Sequence, residues 1–325
     1  MKIALFAHDA GGSEILLELV KASLSVGEFR IFSLKDSPCY KLVMAKELAH
    51  LWCEITPENI TQTLTSFAPS WVLYGTGWQN HLEYDFLAYA KANTLPSVAF
   101  LDHWTNYKER FGYPQKGWEE HLPSFIATHD PHSYALATKL DLPHVIGIKN
   151  YALLKQLDEA KSILQNTPEE NRLLFLSEPT ADVAKRTFND PYFWGFTEKE
   201  VFEDILNNKA LFHCDEMTLR LHPSDTATTY QTIDPSISLS QNSLIEDIAK
   251  ASIIIGIDTV ALYTAFLLGK KVISYVPSNK RHCSVPLPHT NQLRTFEGFE
   301  LTHLQTTQEN PCDFGMDFAS FIKKH

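Results

Sequence analysis

The stretch from Ser243 to Pro277, SLIEDIAKASIIIGIDTVALYTAFLLGKKVISYVP, constrains the fold of this chain more than any other. It predicts helix, strand, tight loop, helix and strand, and each boundary has a physical cause. Ser243 with Glu246 three residues on is a capping-box pattern that starts a helix at Leu244. Ile253, Ile254, Ile255 and Ile257 form a short β-branched run suited to a parallel strand buried on both faces. Asp258 and Thr259 can cap a second helix from Val260 to Leu268, which Gly269 closes. Val272 to Val276 is a second buried strand, stopped by Pro277. The Gly256–Thr259 loop therefore lies at a strand's carboxyl end and a helix start, where open α/β sheets bind ligands and free N–H groups favour an anion.

The same alternation runs through the rest of the chain. Apolar runs predict strands at Ile3–Ala7, Phe29–Ser33, Trp71–Tyr74, Ser97–Leu101, Ser124–Thr128 and Val145–Ile148, with helices between them. A polar helical stretch after Asn150 reads as the connection, and the cycle restarts at Leu173–Leu176 and Met217–Leu221. A final helix is expected between Cys312 and His325. This βαβ repetition predicts an α/β protein of two doubly wound Rossmann-like domains, residues 1–150 and 151–325, facing a cleft.

Charge and cysteine usage narrow the function. A formal charge of −11 disfavours nucleic acid as a partner, because phosphate backbones need a basic field. The five cysteines are scattered without C-x-x-C spacing, which points to reduced thiols in a cytoplasm. No apolar run is long enough to span a bilayer, and the amino terminus lacks a signal-peptide pattern. No cofactor motif is present: G-x-x-x-x-G-K-[ST], G-x-G-x-x-G and G-x-S-x-G are all absent. His129 and His132 form H-x-x-H without a third ligand at suggestive spacing, so no metal site is expected.

The chemistry-bearing residues cluster after strands. His8-Asp9-Ala10-Gly11-Gly12 follows the first, where two glycines allow close approach to the backbone; Asp9 equally reads as a plain helix cap. Gly75-Thr76-Gly77-Trp78-Gln79 follows another. Leu101-Asp102-His103-Trp104-Thr105-Asn106-Tyr107-Lys108-Glu109-Arg110-Phe111 follows a third, packing acid, imidazole, indole, amide and cations into one loop whose aromatic faces and polar groups suit a sugar ring. In the second half Ser177-Glu178, Arg220-Leu221-His222-Pro223 and Asp258-Thr259 occupy equivalent strand ends. Arginine offers a rigid donor fork for phosphate.

The segment G-x-D-T-x-A-L, helix, L-G-K-x-V-I-S around Asp258 resembles the C-terminal nucleotide-sugar half of GT-B glycosyltransferases. The non-hydrolysing UDP-N-acetylglucosamine 2-epimerases share that fold and carry a similar segment. R-x-H-P at Arg220–Pro223 resembles the His-Pro motif of CMP-sugar transferases of the sialyl and Kdo kind, and CDP-glycerol-type polymerases carry a comparable element. The resemblance implies a metal-independent glycosyltransferase; the D-x-D signature of GT-A transferases is absent.

It implies a donor nucleotide held by Ser177, Glu178, Arg220, His222, Ser243, Asp258 and Thr259. Acceptor contacts fall to Gly11, Gly12, Gly77, Trp78, Trp104 and Tyr107. The base is Asp9 or His8, or else Asp102 or His103. One phosphate needs less positive charge than two, and the second half has no glycine-rich cradle, so CMP-linked donors are expected over UDP-linked ones. The acceptor would be a glycan, polysaccharide or lipid-linked sugar, the last bringing transient membrane association. A nucleotide-sugar epimerase of the same fold and a non-catalytic nucleotide-sugar-binding protein are the alternatives.

Overall fold

A computed structural model describes residues 1–77, 81–307 and 313–325. The chain divides into two compact units. Unit 1 comprises Met1–Leu154 together with the C-terminal tail, and unit 2 runs from Lys155 to Asn310.

Unit 1 is a seven-stranded, all-parallel sheet. Its strands are β1 (Lys2–Phe6), β2 (Glu28–Ser33), β3 (Trp52–Glu54), β4 (Trp71–Gly75), β5 (Ser97–Phe100), β6 (Phe125–Thr128) and β7 (Val145–Gly147), in the order β3-β2-β1-β4-β5-β6-β7. Helices α1 (Ala10–Ser23), α2 (Pro38–Ala45), α3 (Ile60–Phe67), α4 (Glu83–Ala92) and α5 (Pro131–Lys139) form the connections. Alternate residues of β1 enter two different cores: Ile3 and Leu5 pack with Leu16, Leu19 and Val20 of α1, whereas Ala4 and Phe6 pack with Leu64 and Phe86. The two-residue strand period thus covers both sheet faces with helices, as parallel sheets require.

Helix α6 (Tyr151–Asn166) leads into unit 2, a six-stranded parallel sheet. Its strands are β8 (Glu170–Leu176), β9 (Glu216–Arg220), β10 (Ser238–Leu239), β11 (Ala251–Gly256), β12 (Lys271–Tyr275) and β13 (Gln292–Leu293), ordered β10-β9-β8-β11-β12-β13. Helices α7 (Thr180–Phe188), α8 (Glu198–Asn207), α9 (Ala227–Gln231), α10 (Leu244–Lys250) and α11 (Val260–Leu267) complete it. The Ser243–Pro277 reading holds: Ser243 Oγ accepts from Glu246 N at 3.1 Å, Thr259 caps α11, and Gly269 closes it at φ +75°. The Glu246 carboxylate binds Lys250 Nζ at 2.6 Å, so Ser243 provides the cap.

The two-domain division differs from a single cut at residue 150. Helix α12 (Phe318–Lys324) buries Phe318, Phe321 and Ile322 in the core of unit 1, with Phe321 edge-on to Trp71 at 5.7 Å. Cys312, where the final helix was expected to begin, lies outside the described residues. The unexpected strands β3, β10 and β13 are edge strands of two or three residues, too short to carry a periodic signal. Helix α7 follows Pro179 directly, so the Ser177-Glu178-Pro179 turn is also a helix entry.

Candidate functional site

Strand order reverses between β1 and β4 in unit 1 and between β8 and β11 in unit 2. Such switch points leave a crevice beyond the strands' carboxyl ends, and the flagged residues collect at both.

In unit 1, Asp9 takes the first position before α1 with extended backbone, yet its carboxyl accepts no capping hydrogen bond. Its carbonyl accepts the first helical bond, from Ser13 N at 3.1 Å, and a bond from Ser13 Oγ at 2.5 Å. Burial raises the Asp9 pKa; His8 opposes the rise, Asp102 adds to it and Arg110 opposes it. Asp102 is differently placed: its Oδ1 accepts from Arg110 Nη1 at 2.6 Å. Arg110, 5% exposed, also donates to the Thr76 carbonyl and hydroxyl, at 3.1 and 2.9 Å, and to the Thr105 carbonyl at 3.3 Å. This buried guanidinium ties the loops after β4 and β5 together and matches the Asp102 charge, as a buried carboxylate requires. Arg110 was not among the expected site residues; lying eight positions from Asp102, it gave no local spacing signal.

The two glycines have internal reasons. A Cβ on Gly11 would stand 2.5 Å from Asp102 Oδ2, and one on Gly12 would stand 3.4 Å from the Gly75 Cα. Their missing side chains let α1 approach Asp102 and β4. Gly77 N donates to Glu83 Oε1 at 3.1 Å. Burial pushes Glu83, the first residue of α4, up to about 7. Trp78 lies outside the described residues.

The aromatic loop folds inward. Tyr107 is 1% exposed with its hydroxyl unpartnered, so it is not a surface platform for a sugar. Trp104 Nε1 donates to Asp130 Oδ2 at 3.0 Å, while Asp130 Oδ1 caps α5 by accepting from Ser133 N at 2.9 Å. His103 contacts Trp104 edge-on at 5.5 Å. His129 sits buried against Phe100, its Nδ1 3.2 Å from the Ile148 carbonyl, and burial lowers its pKa to about 4. Histidine 8 keeps a buried, unpartnered Nδ1 beside Asp9.

In unit 2 the crevice between β8 and β11 is occupied by Glu178. Its Oε1 accepts from Ile257 N at 3.2 Å and Asp258 N at 2.5 Å, just ahead of α11. Arg281 Nη2 bridges Glu178 Oε2 at 3.5 Å and Asp258 Oδ2 at 3.4 Å, and its guanidinium lies 4.8 Å over the Trp194 ring. Asp258 Oδ1 also accepts from Ser284 N at 2.6 Å and Oγ at 2.8 Å. Burial pushes Glu178 up to about 7, with Arg281 opposing and Asp258 reinforcing the shift.

Arg220 Nη1 donates to Asp247 Oδ2 at 2.9 Å and to the Asn242 carbonyl at 2.7 Å, so that nitrogen braces the β9 and α10 ends. His222 is set differently. Ser177 Oγ accepts its backbone N–H at 2.8 Å and donates to Asp225 Oδ2 at 2.5 Å. Its Nδ1 accepts from Ser224 N at 3.1 Å, which assigns the ring proton to Nε2. Burial lowers its pKa, so at neutral pH the ring is an uncharged donor on a fixed turn. Ser243 and Thr259 serve as helix caps. Among the described residues, no three His, Cys, Asp or Glu side chains stand together as a metal-holding group.

No protein-family model matches the chain, and no curated protein matches it in sequence. Solved structures do. The chain is similar to a UDP-GlcNAc 2-epimerase from Methanocaldococcus jannaschii, with TM-score 0.64, 10% identity and coverage of 100% of this chain and 99% of that one. It is similar to a UDP-GlcNAc 2-epimerase from Neisseria meningitidis bound to UDP-GlcNAc, with TM-score 0.59, 13% identity and coverage of 84% and 82%. The glycosyltransferase SnogD from Streptomyces nogalater follows at TM-score 0.50, 13% identity and coverage of 85% and 80%. The likeness is one of fold: the chain has the two-Rossmann-unit GT-B fold.

Proposed function

We propose that the protein is a metal-independent glycosyltransferase that moves a sugar from a nucleotide-activated donor to a hydroxyl of a glycan, polysaccharide or lipid-linked acceptor. The observation that carries this reading is the division of labour between the two switch points. Unit 1 has an acid whose carboxyl no capping bond engages, Asp9, which suits a base for an acceptor hydroxyl. Unit 2 has its carboxylates matched by Arg281 and backbone N–H groups, with His222 Nε2–H as a donor, which suits holding a phosphate.

Two arginines of unit 2 are already committed, Arg220 to Asp247 and Arg281 to two carboxylates. That supports a donor with one phosphate, CMP-linked rather than UDP-linked. The likeness to two UDP-GlcNAc 2-epimerases favours a second reading, in which the unit 1 carboxyls move a proton on a nucleotide sugar without any acceptor.

Incubation with CMP-, UDP- and GDP-linked sugars, with and without glycan acceptors, separates the readings. Acceptor-dependent nucleotide release marks the transferase, conversion without acceptor marks the epimerase, and binding without turnover overturns both. His222→Ala is expected to weaken nucleotide binding about tenfold or more, the worth of one hydrogen bond to a charged oxygen. Unchanged affinity in calorimetry would remove His222 from the donor site. Tighter binding of UDP than CMP would overturn the donor preference alone.

A further inference from the structure

Away from the strand ends, unit 1 has a pocket of about 510 Å³, within the size range of small-molecule sites. One wall is three nearly parallel rings. His81 stacks on Tyr84 with centroids 4.6 Å apart and planes 12° apart, and Tyr84 stacks on His121 at 4.0 Å and 7°. The stack is fastened to the backbone behind it. Tyr84 Oη donates to the Arg110 carbonyl at 3.2 Å, and His121 Nδ1 donates to the Phe111 carbonyl at 3.2 Å. That second bond leaves His121 Nε2 as an acceptor.

The rest of the lining includes polar side chains. Asn106, Glu109 and Gln115 line it. Asn106 is held in the left-handed region at φ +58° and Gly112 at φ +96°. A Cβ on Gly112 would stand 3.2 Å from His121 Nδ1 and 3.4 Å from Tyr84 Oη, so this glycine leaves the room in which both rings are fixed.

This lining selects a chemistry. Ring surface gives an apolar contact, while two amides and a carboxylate give paired donors and acceptors at the rim. No lysine or arginine lines the pocket, and Glu109 carries a negative charge there, which disfavours phosphate, carboxylate and sulfate groups. Burial and the neighbouring His121 lower the His81 pKa, so that ring supplies no cation at neutral pH. We infer that this pocket binds an uncharged pyranose ring, through apolar contact with the His81–Tyr84–His121 stack and hydroxyl bonds to Asn106, Glu109 and Gln115. The same Arg110 whose carbonyl anchors Tyr84 holds Asp102 through its guanidinium, so one residue links the ring stack to the carboxyl cluster. Its role as the acceptor subsite rests on the proposed transfer reaction, whereas its affinity for the ring does not.

Saturation-transfer NMR and calorimetry on the full chain test this with methyl β-D-glucopyranoside, methyl β-D-galactopyranoside and methyl N-acetyl-β-D-glucosaminide, using N-acetylneuraminic acid as the anionic counterpart. At least one neutral glycoside should bind. His81→Ala and Gln115→Ala, at exposed positions, should each weaken it about two- to tenfold, the worth of one neutral contact. Nucleotide affinity should stay at the wild-type value in both variants. Failure of all three glycosides to bind, tighter binding of N-acetylneuraminic acid, or wild-type affinity in both variants would overturn the assignment. Loss of nucleotide turnover with glycoside binding intact would instead count against the transferase reading alone.

Discussion

The two switch points are built from the same parts and arranged in opposite senses. In unit 2 a carboxyl, Glu178, is aimed at backbone N–H groups ahead of α11, and Arg281 ties it to Asp258. In unit 1 the arginine comes from the loop after β5, clamps Asp102 and Thr76, and leaves the carboxyl at the helix start without a capping bond. An acid with its lone pairs engaged is a structural or electrostatic element. Burial raises the pKa of both acids; Asp9 differs in that no capping bond holds its carboxyl, which suits the proposed proton abstraction. The proposed function places the base in unit 1 and the phosphate contacts in unit 2.

The sharpest way to break it is Asp9→Asn, which keeps shape and removes basicity. Turnover in the nucleotide-sugar assay is expected to fall about 10²–10⁴-fold with nucleotide affinity near wild type. If Asp102→Asn or His103→Gln has that effect instead, the base lies in the loop after β5 and the contrast between engaged and unengaged acids fails.

Next in size is the clamp. Arg110→Met strands the Asp102 charge, and denaturant unfolding at pH 7 should record a loss of about 3–5 kcal/mol, as for other broken buried pairs. Adding Asp102→Leu should recover much of that loss, because the stranded charge goes with it. A cost below about 1 kcal/mol for Arg110→Met, the level of an exposed pair, would mean the clamp is not a buried pair in solution.

The smallest effect is a pH dependence. Glu83 and Glu178 are both pushed up to about 7 by burial, so between about 4.5 and 7 the folded chain holds protons that the unfolded chain has released. Their contribution to stability is therefore lost as pH rises through that window and is flat above it. His129, lowered to about 4, acts in the opposite sense, gaining stability as pH rises from about 4 to 6.5. The difference between Glu83→Gln and wild type isolates one carboxyl. The variant should gain about 1–3 kcal/mol relative to wild type on going from pH 5 to pH 8. A difference that does not change with pH would place the Glu83 pKa near its ordinary value.

Much of the fold was legible because parallel strands buried on both faces read as continuous apolar runs, as Ile253–Ile255 and Val72–Tyr74 do. Edge strands β3, β10 and β13 were not, being too short for a pattern. Strand-end positions were legible, since topology alone brings Asp9 and Asp102 to the carboxyl edge of one sheet and Glu178, His222 and Asp258 to that of the other. Their pairings were not. Whether Asp102 or Asp9 meets Arg110, and whether Arg220 faces a ligand or Asp247, depends on how loops close in three dimensions. Tyr107 shows the limit from the other side: an aromatic in a polar loop looks like a platform until packing buries it.

Helix α12 carries a consequence for synthesis. Phe318, Phe321 and Ile322 complete a core whose other members include Leu16 and Val20, translated some three hundred residues earlier, and Trp71, about 250 residues earlier. Unit 2, by contrast, is continuous in sequence from Lys155 to Asn310. During synthesis unit 1 stays one helix short until α12 has been made, with an apolar groove beside Trp71 and Phe125 open to solvent in the meantime. The order in which the units reach their final packing is thus the reverse of the order in which they are made, and chaperone demand during synthesis should fall on the first unit rather than the second.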